Sequence, residues 1–504
     1  MAQISDKHSN TQTVTYSDLR GGLNTGNASE LIAENELAKA INVEVESVSG
    51  ALKTVSGTDD LLVSEDIHFK AMMYDSIGDA ILLVDENNKV YRTSREGRDT
   101  SQVGTIDGQE SIEYTAWEDG IVICSGGKLQ YYHRGTLETI TDSGAPTACH
   151  APFVKDGRIY VAIGDELHCS AVGDEHGWVS DSNDASSSQW LQVGYKDGGK
   201  INGVCSLASD IVVLKDNDRA YHIAGSFPEW SVSEIGRQVE CKGFHSCVSL
   251  AQQALVLGTS SLQTIRSTDE YGDMKSANIS QKVQKEIAAL GNTKVRYIPS
   301  LNQVWLVTGA HRFLFVDMNT GGFFMRQYNS PVIDAIEINN SVYVLKRNKL
   351  CRLNPRHMSD DGEYLNWAIQ AKTLTTPNSF LVKRMWVDTT PYFENYVEEI
   401  FEVDKCWLYG AVPWECMSVY NDRTKIFKSD RDICIHRHSP VFNLSDEAYR
   451  NPQDCWENDT YLKSTGMYRS QCRNIDRAKA LKVRARGSGD PVLINSISFM
   501  VAEV

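Results

Sequence analysis

A strand–turn–strand pattern in the middle of the chain constrains the fold more than any other feature. Each copy has an apolar strand, a polar turn and a second strand that often ends in an aromatic residue. The seven copies cover residues 80–93, 120–133, 158–170, 210–225, 254–267, 303–321 and 341–353. Successive copies begin roughly 36–52 residues apart, which is the period expected of four-stranded propeller blades. Because one blade cannot bury both of its faces, we predict an all-β fold in which six or seven blades close a β-propeller over residues 61–360.

Two segments interrupt this pattern. Residues 180–190 are polar and serine-rich, and we predict a surface loop there. Asp181, Asn183 and Asp184 alternate loosely like calcium ligands, but the glycine and glutamate of an EF-hand loop do not follow.

The second segment, residues 278–292, places Ile279, Val283, Ile287 and Leu290 on one helical stripe, with Ser280 as N-cap and Gly291 as the stop. We predict an amphipathic helix packed on the propeller.

The segments outside the repeat contain a further set of local patterns. Residues 1–16 are polar and predict a flexible arm. After the Gly21–Gly22 turn, Asn27 or Ser29 can cap a short helical turn, and residues 34–40 favour helix. Two strands, at Val43–Val45 and Ala51–Val55, complete the N-terminal segment, residues 1–60.

The C-terminal segment, residues 361–504, contains two long strand patterns at residues 368–389 and 480–504. Between them, residues 391–476 are rich in cysteines and aromatics without clear periodicity. We interpret this stretch as an insertion displayed from the sheet. These long strand patterns are typical of a sheet or a sandwich.

Charge and composition narrow the function classes. The formal net charge of −16 argues against a protein that grips DNA through basic patches. The negative charge is compatible with a protein that forms a conduit for DNA, because an acidic wall repels phosphate and lets DNA slide. No run of about 18 apolar residues occurs and the first residues lack an apolar signal region, so we expect no membrane span and assembly in the cytoplasm. Reduced thiols are the favoured state of the 12 cysteines, since several lie in strand-like apolar runs.

Three stretches resemble the tail nozzle, tail-tube and packaged-DNA-stabilisation proteins of short-tailed bacteriophages. The first is GGLNTGNASELIAENELAKAINVEVESVSGALKT. The second is the succession FHSCVSLAQQALVLGTSSLQTIRS, NISQKVQKEI and KVRYIPSLNQVWLVTGAHRFLFVDMNTGGFFMRQY, and the third is LKVRARGSGDPVLINSISFMV. Together they cover about a third of the chain and bracket its whole length. Residues 391–476 have no counterpart in the family pattern.

The resemblance implies a β-propeller on a β-rich platform, and since both ends of the chain lie outside the repeat, we expect them to pair with each other and build that platform. It implies a structural virion protein of the tail: a ring of identical subunits, usually six, that retains packaged DNA and conducts it during ejection. It further implies a head-to-tail adaptor ring as neighbour, with tail fibres or a needle nearby. Such a ring needs head-to-tail subunit contacts that close on themselves. No catalytic residue, cofactor or membrane contact is expected, and no G-x-S-x-G, H-E-x-x-H or Walker motif occurs.

Two groups of residues are candidate sites. Cys434, His436 and His438 share one face if the segment is a strand, which could begin a zinc site completed by Cys406, Cys416, Cys455 or Cys472. A partly buried strand face, or disulfides formed in the released virion, explains the same residues. Lys479, Lys482, Arg484 and Arg486 form a basic stripe that could contact DNA or an acidic neighbouring subunit. We favour the subunit contact, because the protein as a whole is acidic.

The alternative function is a virion protein that binds or cleaves carbohydrate on the host surface, through residues 391–476 or the propeller mouth. Propellers host such enzymes, and abundant Asp and Glu could supply a glycosidase pair. A host-encoded propeller scaffold unrelated to phage is a third reading. A monomer that degrades polysaccharide would favour the second function, whereas a ring would favour the first.

Overall fold

The structure, a computed structural model, describes residues 11–207, 210–225, 229–267, 274–391, 395–403, 406–410, 466–470, 478–489 and 491–503. The chain divides into two compact units. The propeller unit is Asp60–Phe313 with Ser330–Arg352, and the platform unit holds the described residues of Met1–Asp59, Leu314–Asn329 and Leu353–Val504. The propeller range expected from the sequence, residues 61–360, differs mainly by including residues 314–329.

Short strands, and no helix, make up the described part of the N-terminal segment. They are β1 (Thr11–Tyr16), β2 (Gly22–Leu23), β3 (Glu36–Ile41), β4 (Val43–Val45) and β5 (Leu52–Thr54). The helix expected over residues 34–40 is therefore wrong, and β1 occupies the end of the expected flexible arm. In β3, Leu37 and Ala40 are fully buried in a sheet, and this burial outweighs the helix propensity of Glu, Leu, Lys and Ala.

The propeller unit consists of four-stranded antiparallel sheets. Blades 1 to 5 are β7–β10, β11–β14, β15–β18, β19–β22 and β23–β26, and blade 7 joins β31–β33 to the early strand β6. Of blade 6, β27, β28 and the start of β29 lie in this unit. The first strands are β6 (Gly57–Val63), β7 (Phe69–Asp75), β8 (Ala80–Asp85), β9 (Lys89–Ser94), β10 (Ser101–Thr105), β11 (Gly108–Trp117), β12 (Gly120–Gly126), β13 (Gln130–His133), β14 (Thr136–Thr139), β15 (His150–Lys155), β16 (Arg158–Ile163), β17 (Glu166–Cys169) and β18 (Gln189–Gln192). The others are β19 (Ile201–Leu207), β20 (Asp210–Lys215), β21 (Arg219–Ala224), β22 (Ser231–Arg237), β23 (Cys247–Ser249), β24 (Ala254–Leu257), β25 (Leu262–Ser267), β26 (Met274–Asn278), β27 (Lys294–Ile298), β28 (Gln303–Val307), β29 (Arg312–Asp317), β31 (Val332–Ile338), β32 (Ser341–Lys346) and β33 (Lys349–Asn354).

The innermost strands of the blades form a closed cycle. Each of β7, β11, β15, β19, β23, β27 and β31 contacts the next, and β31 contacts β7. The described residues therefore build seven blades, which confirms the predicted propeller. The seven repeats seen in the sequence are the second and third strands of the seven blades in order.

Burial of the second strands explains why the seven repeats could be recognised in the sequence. The second strands are buried along almost their whole length, as in β8, β12 and β28. Their side chains pack between consecutive blades: Leu82 and Val84 of blade 1 share a core with Ile121 and Ile123 of blade 2. A strand covered on both sides needs a continuous apolar run, which is the pattern that the sequence shows.

The amphipathic helix expected over residues 278–292 is shorter than predicted. A 3-10 turn at Gln281–Val283 leads into one short helix, α1 (Gln284–Ala288). Val283 and Ile287 are buried, as the stripe predicted. Ser280 does not cap the helix; its hydroxyl accepts the backbone N–H of Leu262 at 2.8 Å and so ties the turn to β25.

The platform unit is one sheet that contains strands from both ends of the chain. The strands that complete it are β30 (Phe323–Gln327), β36 (Trp367–Ala371), β37 (Leu374–Pro391), β38 (Asn395–Val403), β39 (Cys406–Gly410), β40 (Gly466–Ser470), β41 (Ala478–Gly489) and β42 (Val492–Glu503), while β34 (Ser359–Asp360) and β35 (Glu363–Tyr364) form a separate hairpin. Within the unit the order is β30-β3-β36-β41-β37-β42-β5-β4. β1 pairs with β42, from Thr11 opposite Ala502 to Tyr16 opposite Ile497. The expected pairing of the two termini is thus confirmed.

The long C-terminal strands lie close to their predicted positions. Residues 368–389 fall in β36 and β37, and residues 480–504 in β41 and β42. The stretch interpreted as an insertion, residues 391–476, contributes three strands of its own: β38 pairs with β41 and β39, and β40 pairs with β37. Residues 411–465 lie outside the described part of the chain.

The Gly-Gly-Leu-Asn turn of the first resembling stretch has a steric role in the platform. A Cβ atom on Gly22, whose φ is +65°, would lie 2.7 Å from the backbone nitrogen of Phe323, and one on Gly21 would lie 2.7 Å from the carbonyl oxygen of Asn35. Asn24 then donates to the buried carboxylate of Glu36 at 2.7 Å. Two glycines are needed because backbone passes directly against backbone here.

We predict that Gly22→Ala strongly destabilises the platform, whereas Gly321→Ala is a mild change. Gly321 has a similar φ of +71° but no atom within 4 Å of its Cβ position. The control should lose about 1–2 kcal/mol from the left-handed backbone alone. Gly22→Ala should lose a further 1–3 kcal/mol, roughly, from overpacking. Chemical denaturation measures both, and equal losses would contradict the steric role.

Candidate functional site

The innermost strands of the propeller bring a group of charged side chains together. Asp334 on β31 accepts hydrogen bonds from Lys294 and Arg296 on β27, at 2.8 Å from Lys294 Nζ and 2.8 Å from Arg296 Nε. The Asp334 side chain is 1% exposed, and those of Lys294 and Arg296 are 20% and 15% exposed. Alternation places Lys294 and Arg296 on the same face of β27. One carboxylate therefore holds two cations from the neighbouring blade.

His245 extends this group across the interior of the ring. Arg296 Nη2 lies 3.1 Å from His245 Nδ1, and His245 Nε2 lies 2.6 Å from the carbonyl oxygen of Ile112. Because guanidinium only donates, Nδ1 must accept, and Nε2 must carry the hydrogen and donate it in a hydrogen bond to the carbonyl oxygen of Ile112. Lys294 Nζ also donates to the carbonyl oxygen of Lys70 at 3.1 Å. We call Lys294, Arg296, Asp334, His245 and the carbonyl groups of Lys70 and Ile112 the central polar network.

The network joins blades that are not neighbours. Ile112 lies on β11 in blade 2, and His245 lies in the 3-10 turn Phe244–Ser246 that enters blade 5. In the cycle of seven inner strands, two blades separate them on one side and three on the other. Their hydrogen bond consequently crosses the middle of the ring. The network also includes Lys70 of blade 1, Arg296 of blade 6 and Asp334 of blade 7. Together with blades 2 and 5, it therefore connects five blades.

Burial and charge set the protonation states of this network. Burial, reinforced by the Arg296 guanidinium, lowers the pKa of His245 to about 3, so the imidazole is neutral. Burial alone would favour protonated Asp334, but Arg296 and Lys294 outweigh it and hold the pKa of this carboxyl well below its usual value. Burial also lowers the pKa of Lys294. Both ring nitrogens of His245 are hydrogen-bonded. This arrangement favours a structural role, in which His245 holds blades together, over a role in proton transfer.

Sequence reasoning did not find the central polar network. A usable signal exists in KVRYI (residues 294–298), where two cations alternate with apolar residues in a strand that should be buried. The partner carboxylate lies 40 residues further on, and His245 comes from another blade. Only the closed ring brings these residues together.

Three of the four residues of the predicted basic stripe alternate with buried residues along β41. In β41, Leu481, Val483 and Ala485 are buried, and Lys482, Arg484 and Arg486 alternate with them at half-buried positions. Lys479 also lies in β41. The backbone register sets Glu402 opposite Lys482 and Glu398 opposite Arg486.

A side chain of this stripe contacts the neighbouring strand β36. Arg484 Nε donates to Gln370 Oε1 at 2.7 Å, again within the platform. The stripe therefore has a role inside its own sheet, and its contact with DNA or with a neighbouring subunit stays a hypothesis.

The zinc hypothesis falls outside the described residues, because Cys434, His436 and His438 all lie between residues 411 and 465. Within the described residues, no group of three or more His, Cys, Asp and Glu side chains is arranged to hold a metal ion. Asp181 and Asp184 instead accept backbone N–H groups of their own loop, from Asn183 and Ser186. In the same part of the chain, no helix is long and apolar enough to cross a bilayer.

Comparisons with known proteins add little to this description. No protein-family model matches the chain, and no curated protein matches it. Among solved structures, BamB from Moraxella catarrhalis is similar with a TM-score of 0.39 and 10% identity, over 68% of this chain and 97% of that one. A similarity of this size carries no argument about function. The strand pairings themselves define the class: an all-β protein with a seven-bladed propeller and a platform sheet built from both ends of the chain.

We predict that Asp334→Asn destabilises the propeller by about 3–5 kcal/mol, because it leaves two buried cations without their carboxylate. The matched control is Asp79→Asn. Asp79 pairs with Arg95 at 2.8 Å but is 51% exposed, so its loss should cost less than about 1 kcal/mol. Equilibrium unfolding in denaturant measures both. Similar losses for the two variants would contradict the role of the central polar network.

A second prediction concerns pH. The folded state lowers the pKa of His245 from 6.5 to about 3, so in that window the unfolded chain binds a proton that the folded chain does not. The stabilisation that the neutral His245 imidazole contributes to folding is complete above pH 6.5 and declines as the pH falls. His245→Gln keeps a side-chain amide donor for Ile112 but cannot titrate. Its unfolding temperature should therefore decline less steeply between pH 7 and 4 than that of the unaltered protein, as measured by calorimetry; parallel curves would contradict the assignment.

Proposed function

We propose that the chain is a structural virion protein that forms the ring-shaped nozzle or tube of a short phage tail, retaining packaged DNA and conducting it during ejection. The observation that carries this proposal is where the family resemblance falls in the fold. All three resembling stretches belong to the framework: the turn and strands at the start of the platform, blades 5 and 6, and the strands β41 and β42 on either side of β37. Because the resemblance lies in the framework of the fold, it supports a protein that acts through its shape and its contacts with other subunits.

The central polar network supports a particular location for the DNA path. The hydrogen bond between His245 and Ile112 crosses the interior of the propeller, and Arg296 and Asp334 fill the same region. A duplex has no route along the propeller axis while these contacts hold. In the proposed assembly the lumen therefore lies between subunits and needs several copies around an axis.

The charge of the chain fits this lumen. The chain has 66 acidic against 50 basic residues, so it carries an excess of negative charge. An acidic wall repels phosphate and favours sliding over binding. The proposed partners are the other subunits of a homohexamer, a head-to-tail adaptor ring, tail fibres or a needle, and DNA in transit.

A carbohydrate-binding or carbohydrate-cleaving virion protein is the second candidate. The observation that favours it is a pair of exposed aromatic side chains in blade 3: Trp190, on the outer strand β18, is 55% exposed, and Tyr195 is 70% exposed. Exposed aromatic rings commonly mark binding surfaces. A role of this kind predicts that Trp190→Ala or Tyr195→Ala weakens glycan binding without changing stability.

Native mass spectrometry and negative-stain electron microscopy of the purified protein, and imaging of the particle that carries it, test the proposal. We expect a closed ring of six subunits whose central opening lies between propellers. The same preparation is incubated with host surface polysaccharide, and we expect no depolymerisation. A subunit that stays monomeric, is absent from the tail, and degrades polysaccharide would contradict the nozzle function and favour the second candidate.

A further inference from the structure

Buried thiols are concentrated where the chain passes from one blade to the next. The free, buried cysteines among the described residues are Cys124, Cys149, Cys169, Cys205, Cys241, Cys247 and Cys351. Two of them lie at the junction between blades 2 and 3, and three lie at the junction between blades 4 and 5. The first junction contains one thiol pair with a defined geometry.

Cys124 and Cys149 face each other across the blade 2–3 junction. Cys124 lies on β12, and Cys149 immediately precedes β15, the first strand of blade 3. Their sulfur atoms are 3.2 Å apart, and both residues are at most 1% exposed in a core shared with Trp117 and Trp178. A disulfide holds its sulfurs about 2.05 Å apart, so bond formation needs the two atoms to approach by only about 1.2 Å.

We propose that Cys124 and Cys149 are an oxidation site, at which a low-molecular-weight disulfide such as oxidised glutathione converts the two thiols into one disulfide bond between blade 2 and the entry to blade 3. The thiolate of one cysteine attacks the small disulfide and releases one small thiol. The other cysteine then attacks the mixed disulfide and releases the second. The two cysteine sulfurs are oxidised, the small disulfide is reduced to two thiols, and the two protons leave with those thiols. This inference concerns the single chain and does not depend on the proposed function.

The setting of the pair determines when the bond forms. Burial, together with the neighbouring Cys149 thiol, raises the pKa of Cys124, so little thiolate exists in the closed propeller at neutral pH. Oxidation is therefore slow in the folded protein and fast while blade 3 is still docking. Once formed, the bond closes a 25-residue separation and restricts the unfolded chain.

The blade 4–5 junction is different, because three thiols share it. Cys205, Cys241 and Cys247 lie in one core, and the Cys247 thiol donates to the carbonyl oxygens of Phe244 and Val204, at 3.4 and 3.8 Å. The sulfur atoms of Cys241 and Cys247 lie 3.0 and 3.1 Å from the Cβ position of Gly203. No single pair is favoured there, which is why the assignment is made for Cys124 and Cys149 alone.

The test is to refold the full chain in parallel in a glutathione redox buffer and in excess dithiothreitol. After free thiols are blocked under denaturing conditions, non-reducing peptide mapping should join the peptides of Cys124 and Cys149 in the oxidised sample. The oxidised protein should unfold several degrees higher than the reduced protein. Cys149→Ala should lose both the linked peptide and the redox-dependent shift.

Cys351→Ala is the matched control, since Cys351 is equally buried but its thiol donates to Asp60 at 3.3 Å. This variant should keep the linked peptide and the shift in unfolding temperature. The proposal is overturned if Cys124 and Cys149 of the oxidised, folded protein are both recovered as blocked thiols. Because this result is read on the unaltered chain, a folding defect in either variant leaves the test intact.

Discussion

Burial of the second strand of each blade is the constraint on which the propeller depends. These strands are covered on both faces, so each blade needs a neighbour before and after it, and an open row would leave two apolar faces in water. The ring solves this by pairing β6, from before the first blade, with β33 of the last. The hydrophobic cores then consist of different residues, but each of them lies between two consecutive blades.

Closing a ring of seven blades leaves the inner strands around a common axis, and the central polar network fills part of that space with groups that satisfy one another. Asp334 balances Lys294 and Arg296, while neutral His245 accepts from Arg296 and donates to Ile112. A buried charge pair is stable only when each partner is held in place. The network therefore couples the positions of blades that share no core.

The fold was largely predictable from the sequence, whereas the network was not. Apolar runs at a regular spacing are a local signal, and they located all seven central strand pairs. Residues 34–40 were misread because helix propensity is local and the burial of Leu37 and Ala40 in β3 comes from strands that follow hundreds of residues later. His245, Arg296 and Asp334 could not be grouped for the same reason: their proximity exists only after ring closure. Carboxylates such as Asp85, which accepts the backbone N–H groups of Asn87 and Lys89, form turns and carry no signal of a site.

The platform sheet has a consequence for the time course of folding. Its pairs include Thr11 with Ala502 and Leu52 with Ile494, which are among the longest sequence separations that this chain allows. Contacts of such high contact order form slowly, because a very long loop must close first. During synthesis β1 cannot pair until β42 has been made, and β5 lacks one of its two neighbours until then, while blades 1 to 5 can form as they emerge. The order of synthesis therefore places the completion of this sheet after the formation of the first blades, and a chain that lacks β42 leaves β1 without its partner strand.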